Sequence, residues 1–110
     1  MATHVAQSPA REANAISMVA AEAGGDDWLN NGGDLLLVKH GDDLGSDVTL
    51  TVAVPKTVDG QAVDAKEITV AAGSLHALGP WPANIYNDGD GKVALAWSDP
   101  ADITLAVVRT

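Results

Sequence analysis

The stretch Val48–Val54, with the sequence VTLTVAV, decides the fold class of this chain. Aliphatic side chains occupy every second position, and Thr or Ala lies between them. Because successive side chains of a β-strand point to opposite faces, this alternation predicts a strand with one buried face. Pro55 ends the strand, and Asp59-Gly60 is the dipeptide that a tight reversal prefers. We therefore expect the chain to turn back on itself there.

Further strands are predicted on both sides of this one. Leu35–Val38 is a continuous apolar run, too short for a helix, that fits a central strand. Alternation predicts strands around Ile68–Val70, Val93–Trp97 and Ile103–Val107. Residues 15–23 fit either a strand or a short helix, and we favour the strand.

Short strands at this spacing, separated by Gly, Asn, Asp and Pro, predict an all-β fold. We expect a single antiparallel β-sandwich or small barrel, jelly-roll or immunoglobulin-like, over residues 16–110. The two prolines of Gly79-Pro80-Trp81-Pro82 exclude a central paired strand, so this corner should lie at an edge or end. Met1–Ala15 is polar and Ala-rich, which predicts a flexible N-terminal arm, either frayed or gripping a partner.

Composition excludes several functional classes. Six Lys and Arg against 15 Asp and Glu give a net charge of -9, which would repel a nucleic-acid backbone. The chain has no Cys, so thiol catalysis, disulfides and thiolate metal sites are excluded. No apolar run approaches the roughly 20 residues that cross a bilayer. We expect a soluble protein that is made and used without export, with no nucleic-acid or membrane partner.

The residue types that carry catalysis lack the spacing that catalysis needs. His4, His40 and His76 have no partner at a metal or triad spacing, and we expect them at the surface or in loops. No Ser lies in a Gly-x-Ser-x-Gly elbow. Asp26-Asp27 and Asp42-Asp43 are adjacent pairs, whose side chains point to opposite faces of an extended backbone, so solvated charge is the expected role. We predict no enzyme activity, no catalytic residue and no cofactor.

The segment Asn87–Gly91 is rich in side-chain oxygens and leaves two interpretations open. Calcium needs several such oxygens around one point, but the bidentate Glu that closes a calcium loop is missing. Asn, Asp and Gly are also the residues that a β-turn prefers. We favour the turn and predict no metal site.

Two tryptophans are candidates for a partner interface. Trp28 and Trp81 are predicted to lie in loops, where they either plug an open end of the sandwich or anchor a partner. We predict partner contacts at Trp28, Asn30, Asn31, Trp81 and Tyr86. Trp97 aligns with Val93 and Leu95, which predicts a core position.

The order of loops and strands resembles a family of short proteins of tailed bacteriophages, treated as head auxiliary or decoration (capsid cement) proteins. The segments that carry the resemblance are Ala23–Asp26, Asn30–Lys39, Val48–Pro55, Thr57–Gly60, Val70–Gly73, Leu78–Pro82 and Tyr86–Val93. This chain departs from the family pattern at Pro80-Trp81 and at His40, where Asn is more typical. The family pattern carries no catalytic residue.

The resemblance implies a structural protein that binds the outer surface of a capsid shell and bridges its subunits. Its partners would be the major capsid protein and other copies of itself, with a trimer as one arrangement, and its location would be the virion surface after synthesis in the host cytoplasm. Two alternatives are a carbohydrate- or receptor-binding β-sandwich, in which the loop Trp residues and Tyr86 stack on sugars, and a tail or connector component of the virion.

Overall fold

The computed structural model describes residues 2–8, 16–41 and 45–109, which form two β-sheets packed face to face. The strands and the one short helix are β1 (Ala2–His4), β2 (Val19–Ala20), β3 (Asp26–Leu29), β4 (Leu35–His40), β5 (Val48–Val52), β6 (Thr57–Val58), β7 (Gln61–Ala62), β8 (Lys66–Val70), β9 (Leu75–Leu78), α1 (Ala83–Tyr86), β10 (Lys92–Trp97) and β11 (Ile103–Val108). One sheet has the order β1-β3-β10-β5-β8 and the other the order β2-β11-β4-β9, while β6 and β7 form a separate hairpin. The all-β sandwich prediction is confirmed.

The core lies between the inner faces of the two sheets. Its buried side chains are Trp28, Leu36, Val38, Val48, Leu50, Val52, Val70, Trp81, Val93, Leu95, Ile103, Leu105 and Val107. They alternate with more exposed residues along the strands, as the pleat of a β-strand requires. The sequence pattern therefore positions both sheets by burying one side of each strand.

The strands with the clearest alternation lie where the sequence predicts them. β5 pairs with β10 on one side and β8 on the other, and β4 is central between β11 and β9. The strand interpretation of residues 15–23 is confirmed at β2.

The predicted reversal at Asp59-Gly60 is also confirmed. Both residues have positive φ, 54° and 75°, and they connect β6 to β7. Positive φ at both central positions is the requirement of a type I′ turn, which Asp-Gly satisfies with little strain.

Four elements were not predicted, and one of them is β9, where no strand was expected. β3 contains Asp26, Asp27 and Trp28, which resemble turn and loop residues in sequence but form a strand next to β10. α1 is a single helical turn after Pro82, where no helix was expected. β1 pairs in parallel with β3, so the arm prediction for residues 1–15 is wrong where the structure describes this segment.

The N-terminal segment 2–8 belongs to the sandwich because its backbone is hydrogen-bonded at both ends. Ala2 N–H donates to the Gly25 carbonyl at 3.1 Å, and Gln7 N–H donates to the Val107 carbonyl at 2.7 Å. Residues 9–15 of the predicted arm lie outside the described residues.

Candidate functional site

The predicted contact residues gather at the end of the sandwich where β3 and β9 finish. The Trp81 ring meets the Trp28 ring edge to face, with centroids 6.3 Å apart, and the Tyr86 ring at 5.1 Å. Trp28 has no exposed surface and Trp81 is 3% exposed. Both indoles therefore plug the end of the sandwich, and the alternative that they anchor a partner at the surface is wrong. The reason is that Trp28 lies on the inner face of β3 rather than in a loop.

Asn30 and Asn31 have different environments. The Asn30 side-chain NH₂ donates to the Trp81 carbonyl at 2.7 Å and to Asn87 Oδ1 at 2.8 Å, and its oxygen accepts the Gly32 N–H at 3.0 Å. The side chain is thus fully engaged in holding the corner against the β3–β4 loop. Asn31 is exposed, and its side-chain oxygen accepts the Gly33 N–H at 3.0 Å. A partner contact at Asn31 or at the half-buried Tyr86 stays a prediction.

A buried carboxylate, Asp34, lies directly behind these rings. Asp34 Oδ2 accepts a hydrogen bond from Trp28 Nε1–H at 3.1 Å. The Arg109 guanidinium donates to both carboxylate oxygens, at 3.1 and 3.2 Å, and also to the Leu29 carbonyl at 3.0 Å. A guanidinium that spans both oxygens of a carboxylate matches its geometry and forms a strong charge-assisted pair. The C-terminal end of the chain is thereby fixed to the β3–β4 loop.

Close packing of the corner depends on Gly79. A Cβ placed on this residue would lie 2.8 Å from the Asp34 carbonyl oxygen and 3.2 Å from Leu35 Cδ2. Its φ of 135° is also one that L side chains rarely adopt. Glycine at this position lets the Pro80-Trp81-Pro82 corner approach the start of β4.

A second buried carboxylate, Asp26, holds the other end of the chain. Asp26 Oδ1 accepts from His4 Nε2 at 2.7 Å, and Oδ2 accepts from Trp97 Nε1–H at 2.7 Å and from Glu22 N–H at 3.2 Å. The prediction that Asp26-Asp27 is solvated is wrong, because both side chains are buried. They alternate along β3 and so lie on opposite faces, and Asp27 Oδ1 has no hydrogen-bond partner within the described segments.

The histidine prediction is wrong for two of the three residues. The His4 side chain is 8% exposed because it faces Asp26, and His40 is buried at the end of β4, where Nε2 lies 2.9 Å from the Ser46 carbonyl. His4 is 22 residues from Asp26 in sequence, and Arg109 is 75 residues from Asp34. No local motif therefore indicates either pairing.

His76 forms a serine–histidine pair that the sequence analysis did not anticipate. Its Nε2 lies 2.8 Å from Ser74 Oγ. The Ser74 hydroxyl also donates to the Ala71 carbonyl, so in this arrangement the hydroxyl accepts from the imidazole N–H. The imidazole is then a donor rather than the base that a serine nucleophile needs. This geometry supports a structural role in the turn before β9.

The Asn87–Gly91 segment uses its central acid for backbone hydrogen bonds. Asp88 Oδ1 accepts the Asp90 N–H at 2.9 Å and the Lys92 N–H at 3.1 Å. The turn interpretation is confirmed. Within the part of the chain that the structure describes, no three His, Asp or Glu side chains lie close enough together to hold a metal ion.

Comparison with known proteins gives no match: no family model, no curated protein and no solved structure is significantly similar to this chain. No helix within residues 2–8, 16–41 and 45–109 is long and apolar enough to cross a membrane.

The outward faces of the two sheets differ in chemistry. On the four-stranded sheet, the outward positions of its three longest strands are Leu35, Leu37, Lys39, Leu75, Ala77, Thr104, Ala106 and Val108. Six of these eight are aliphatic; Leu75 is 64% exposed, whereas Ala106 is already buried within the chain. We call these eight residues the aliphatic face.

The outward face of the five-stranded sheet is mostly polar or small. Its outward positions are Thr3, Asp27, Leu29, Thr49, Thr51, Glu67, Thr69, Lys92, Ala94 and Ala96. Leu29, which is 57% exposed, is the single large aliphatic residue among them. The sandwich therefore has one face suited to contact with another macromolecule and one suited to water.

Proposed function

We propose that this chain is a non-enzymatic structural protein of a phage virion that binds the outer surface of the capsid shell and stabilises it. The observation that carries the proposal is the difference between the two outward faces. The aliphatic face would lie against the major capsid protein, and the Thr-rich face would point to solvent. A module that covers an outer surface needs this asymmetry, because only one of its two broad faces is buried.

The continuous apolar sequence of β4 has a direct explanation in this proposal. In an antiparallel sandwich with one solvated side, a strand alternates between apolar and polar residues. Leu35, Leu36, Leu37 and Val38 are all apolar, so both sides of β4 avoid water in the functional state. Leu36 and Val38 are buried in the core, while Leu35 and Leu37 are only half-buried within this chain. A partner surface would complete their burial.

The anchoring of β1 and of the residue that follows β11 agrees with a mechanical role. A protein that bridges shell subunits transmits load through its own fold, so strands that are tied to the rest of the sandwich suit this role. Here His4 is held by Asp26 and Arg109 by Asp34, each through a buried carboxylate. Binding at many symmetric positions turns a modest affinity per contact into strong total attachment.

The proposal is tested by mixing the purified protein with capsids stripped of it and imaging the particles by electron cryomicroscopy. We expect ordered density on the outer surface at junctions between capsomers, with β4 and β9 against the shell. Shells without added density, or with the Thr-rich face towards the shell, would contradict the proposal. Density at the tail or connector instead would support the tail-component alternative.

A matched pair of variants tests the choice of face. Leu75→Asp places a charge on edge strand β9 in the aliphatic face, and Thr69→Asp places the same charge on edge strand β8 in the other face. Both sites are exposed, so both variants should fold. Burying an unpaired carboxylate costs more than the 1.4 kcal/mol that corresponds to a tenfold change in affinity. We therefore expect Leu75→Asp to weaken capsid binding by at least about tenfold and Thr69→Asp to leave it unchanged.

The carbohydrate-binding alternative has less support than capsid binding. It requires exposed indole rings that stack on sugars, whereas Trp28 and Trp81 are both buried. Tyr86 is half-buried and its ring packs edge-on against Trp81.

A further inference from the structure

The β6–β7 hairpin is an exposed element with apolar side chains and little of its own core. Every residue from Pro55 to Glu67 is exposed. Val58 is 60% and Val63 is 40% exposed. A two-stranded hairpin is marginally stable in water unless a further surface packs against it. The hairpin therefore has the properties of an element that inserts into a partner.

The hairpin also differs in charge from the rest of the chain. Lys56 and Lys66, at its two ends, are two of the six basic residues of a chain with 15 acidic ones. With Asp59 and Asp64, residues 55–66 have no net charge, so the whole net charge of -9 is carried by the remaining residues. A segment without net charge is not repelled by an acidic surface as the rest of the chain is, and its two lysines can pair with carboxylates there.

A cleft of about 620 Å³ with complementary chemistry lies beside β11. Its apolar lining residues are Ala20, Ala21, Pro100, Ala101 and Ile103. Asp99 and Asp102 line the same cleft, and both are exposed. The cleft thus combines small apolar side chains with two carboxylates, whereas the hairpin combines two valines with two lysines and two aspartates.

The hairpin and the cleft lie at opposite ends of the sandwich. β5 runs between the two ends: Val52 pairs with Lys66 at the hairpin end, and Val48 pairs with Val70 at the other. Val48, Asp99 and Asp102 line a smaller neighbouring cleft of about 150 Å³, which places the cleft region at the Val48 end. The hairpin therefore does not lie against the cleft of its own chain.

We propose that the β6–β7 hairpin of one copy docks in the Ala20–Pro100–Asp102 cleft of a second copy. Val58 and Val63 pack against the alanines and Pro100, and Lys56 and Lys66 lie near Asp99 and Asp102. The contact joins two different surfaces, so repetition closes a ring or extends a filament. This inference goes beyond capsid binding and does not depend on it, because the contact needs no shell.

The size of the contact sets its strength in solution. Stable interfaces bury about 800 Å² per partner, and a short hairpin in one cleft is smaller than that. We therefore expect weak pairing of two copies in solution. Association should be strong where several copies close a ring, since the contact that closes the ring forms within one assembly. Ring closure gives a concentration-dependent change from monomer to one larger species.

Cysteine cross-linking tests the contact directly, because the natural chain has no Cys. Val58→Cys and Ala101→Cys are made in separate chains, mixed and oxidised; a disulfide forms only where the two Cα atoms come within about 7 Å. The matched control mixes Val58→Cys with Thr69→Cys, which is also exposed but lies on the polar face. We expect the Val58–Ala101 pair to cross-link at least about tenfold faster than the control pair.

Charge variants test the complementarity on which the proposal rests. Lys56→Glu/Lys66→Glu reverses the hairpin charges, and Lys39→Glu/Lys92→Glu makes the same change in net charge elsewhere. In sedimentation velocity at low salt, the first variant should associate at least about tenfold more weakly than the second. Asp99→Asn/Asp102→Asn should also weaken association, while the amide oxygens keep the turn between β10 and β11. Equal cross-linking of both cysteine pairs, a monomer at every concentration, or equal weakening by both lysine variants would overturn the proposal.

Discussion

Asp26 and Asp34 are both fully buried carboxylates, but different donors compensate for their lost hydration. Among the described residues both have no exposed surface, and each accepts a hydrogen bond from a tryptophan indole. Asp34 is paired with the guanidinium of Arg109, which contacts both of its oxygens. Asp26 instead has the imidazole of His4 on one oxygen and two N–H donors on the other. The same sandwich therefore contains one bidentate ion pair and one network of separate donors.

The difference shows how a small core can include carboxylates. A buried carboxylate is tolerated only when its lost hydration is replaced by hydrogen bonds or by opposite charge. Hydrogen bonding to Asp34 raises the pKa of Arg109, partial burial lowers it, and the Coulomb attraction of Asp34 raises it further. A guanidinium is charged at every physiological pH, and the raised pKa of Arg109 leaves this unchanged. Asp34 thus has a permanent counter-charge, whereas Asp26 depends on several donors acting together.

The largest expected loss of stability follows Asp34→Ala. This change leaves the fully buried Trp28 indole N–H without its acceptor and removes the bidentate contact that fixes the C-terminal end. We expect the free energy of unfolding to fall by about 3 kcal/mol. Urea denaturation followed by Trp fluorescence measures the change.

Asp34→Asn is the control for this prediction. The amide oxygen retains an acceptor for the indole but has no charge for Arg109. Its stability should lie between those of the natural chain and Asp34→Ala. If Asn is as harmful as Ala, the indole hydrogen bond contributes little and the ion pair dominates.

A smaller loss, about 2 kcal/mol, is expected for Asp26→Ala. Trp97 is half-buried, so its indole can turn towards water, and His4 lies on a three-residue edge strand that can adjust to the loss of its partner. The same urea experiment compares the two alanine variants. A loss equal to that of Asp34→Ala would show that separate donors bind a buried carboxylate as well as a bidentate guanidinium does.

The contrast between these sites also explains what sequence could predict. Strands β4, β5, β8, β10 and β11 were predicted because their apolar residues follow the local geometry of the backbone. The Asp59-Gly60 hairpin was predicted for the same reason, since its turn needs two residues that tolerate positive φ. Local patterns are enough where local geometry decides the structure.

β3 and both carboxylate sites were missed because distant residues decide them. Asp26-Asp27 resembles a solvated turn until His4, Trp97 and Glu22 supply the donors that allow its burial. No pattern near Asp34 indicates Arg109, which is 75 residues away. The same limit led to Trp28 being placed in a loop rather than on the inner face of a strand.

Arg109→Lys tests whether the bidentate geometry matters beyond the charge. An ammonium is a point charge and cannot span both oxygens of Asp34 and the Leu29 carbonyl as the guanidinium does. Since the side chain is 40% exposed, we expect a decrease of only a few degrees in Tm.

The pH dependence of the Arg109 variant separates geometry from charge. The pKa of Arg109 is raised in the folded state, so its contribution to stability is fully present at any pH below the unfolded pKa and is lost only as pH rises through the folded pKa. The difference in Tm between Arg and Lys should therefore be the same at pH 6 and pH 9. A difference that grows with pH would mean that the charge of the Lys, rather than its shape, is responsible.

The most local expected effect is that of His4→Ala, because β1 is a three-residue edge strand. The change removes one hydrogen bond to Asp26 but leaves the Trp97 and Glu22 donors in place, so we expect a loss of about 1 kcal/mol. The effect should be local, since β1 contacts the sandwich mainly through β3. Hydrogen exchange should become faster at the β1 amides and stay unchanged in β10.

Thr3→Ala, on the opposite face of β1, is the control and should change neither the stability nor the exchange rates. If His4→Ala instead speeds exchange throughout the five-stranded sheet, β1 is an integral part of the core, and Asp26 resembles Asp34 more closely than its contacts indicate.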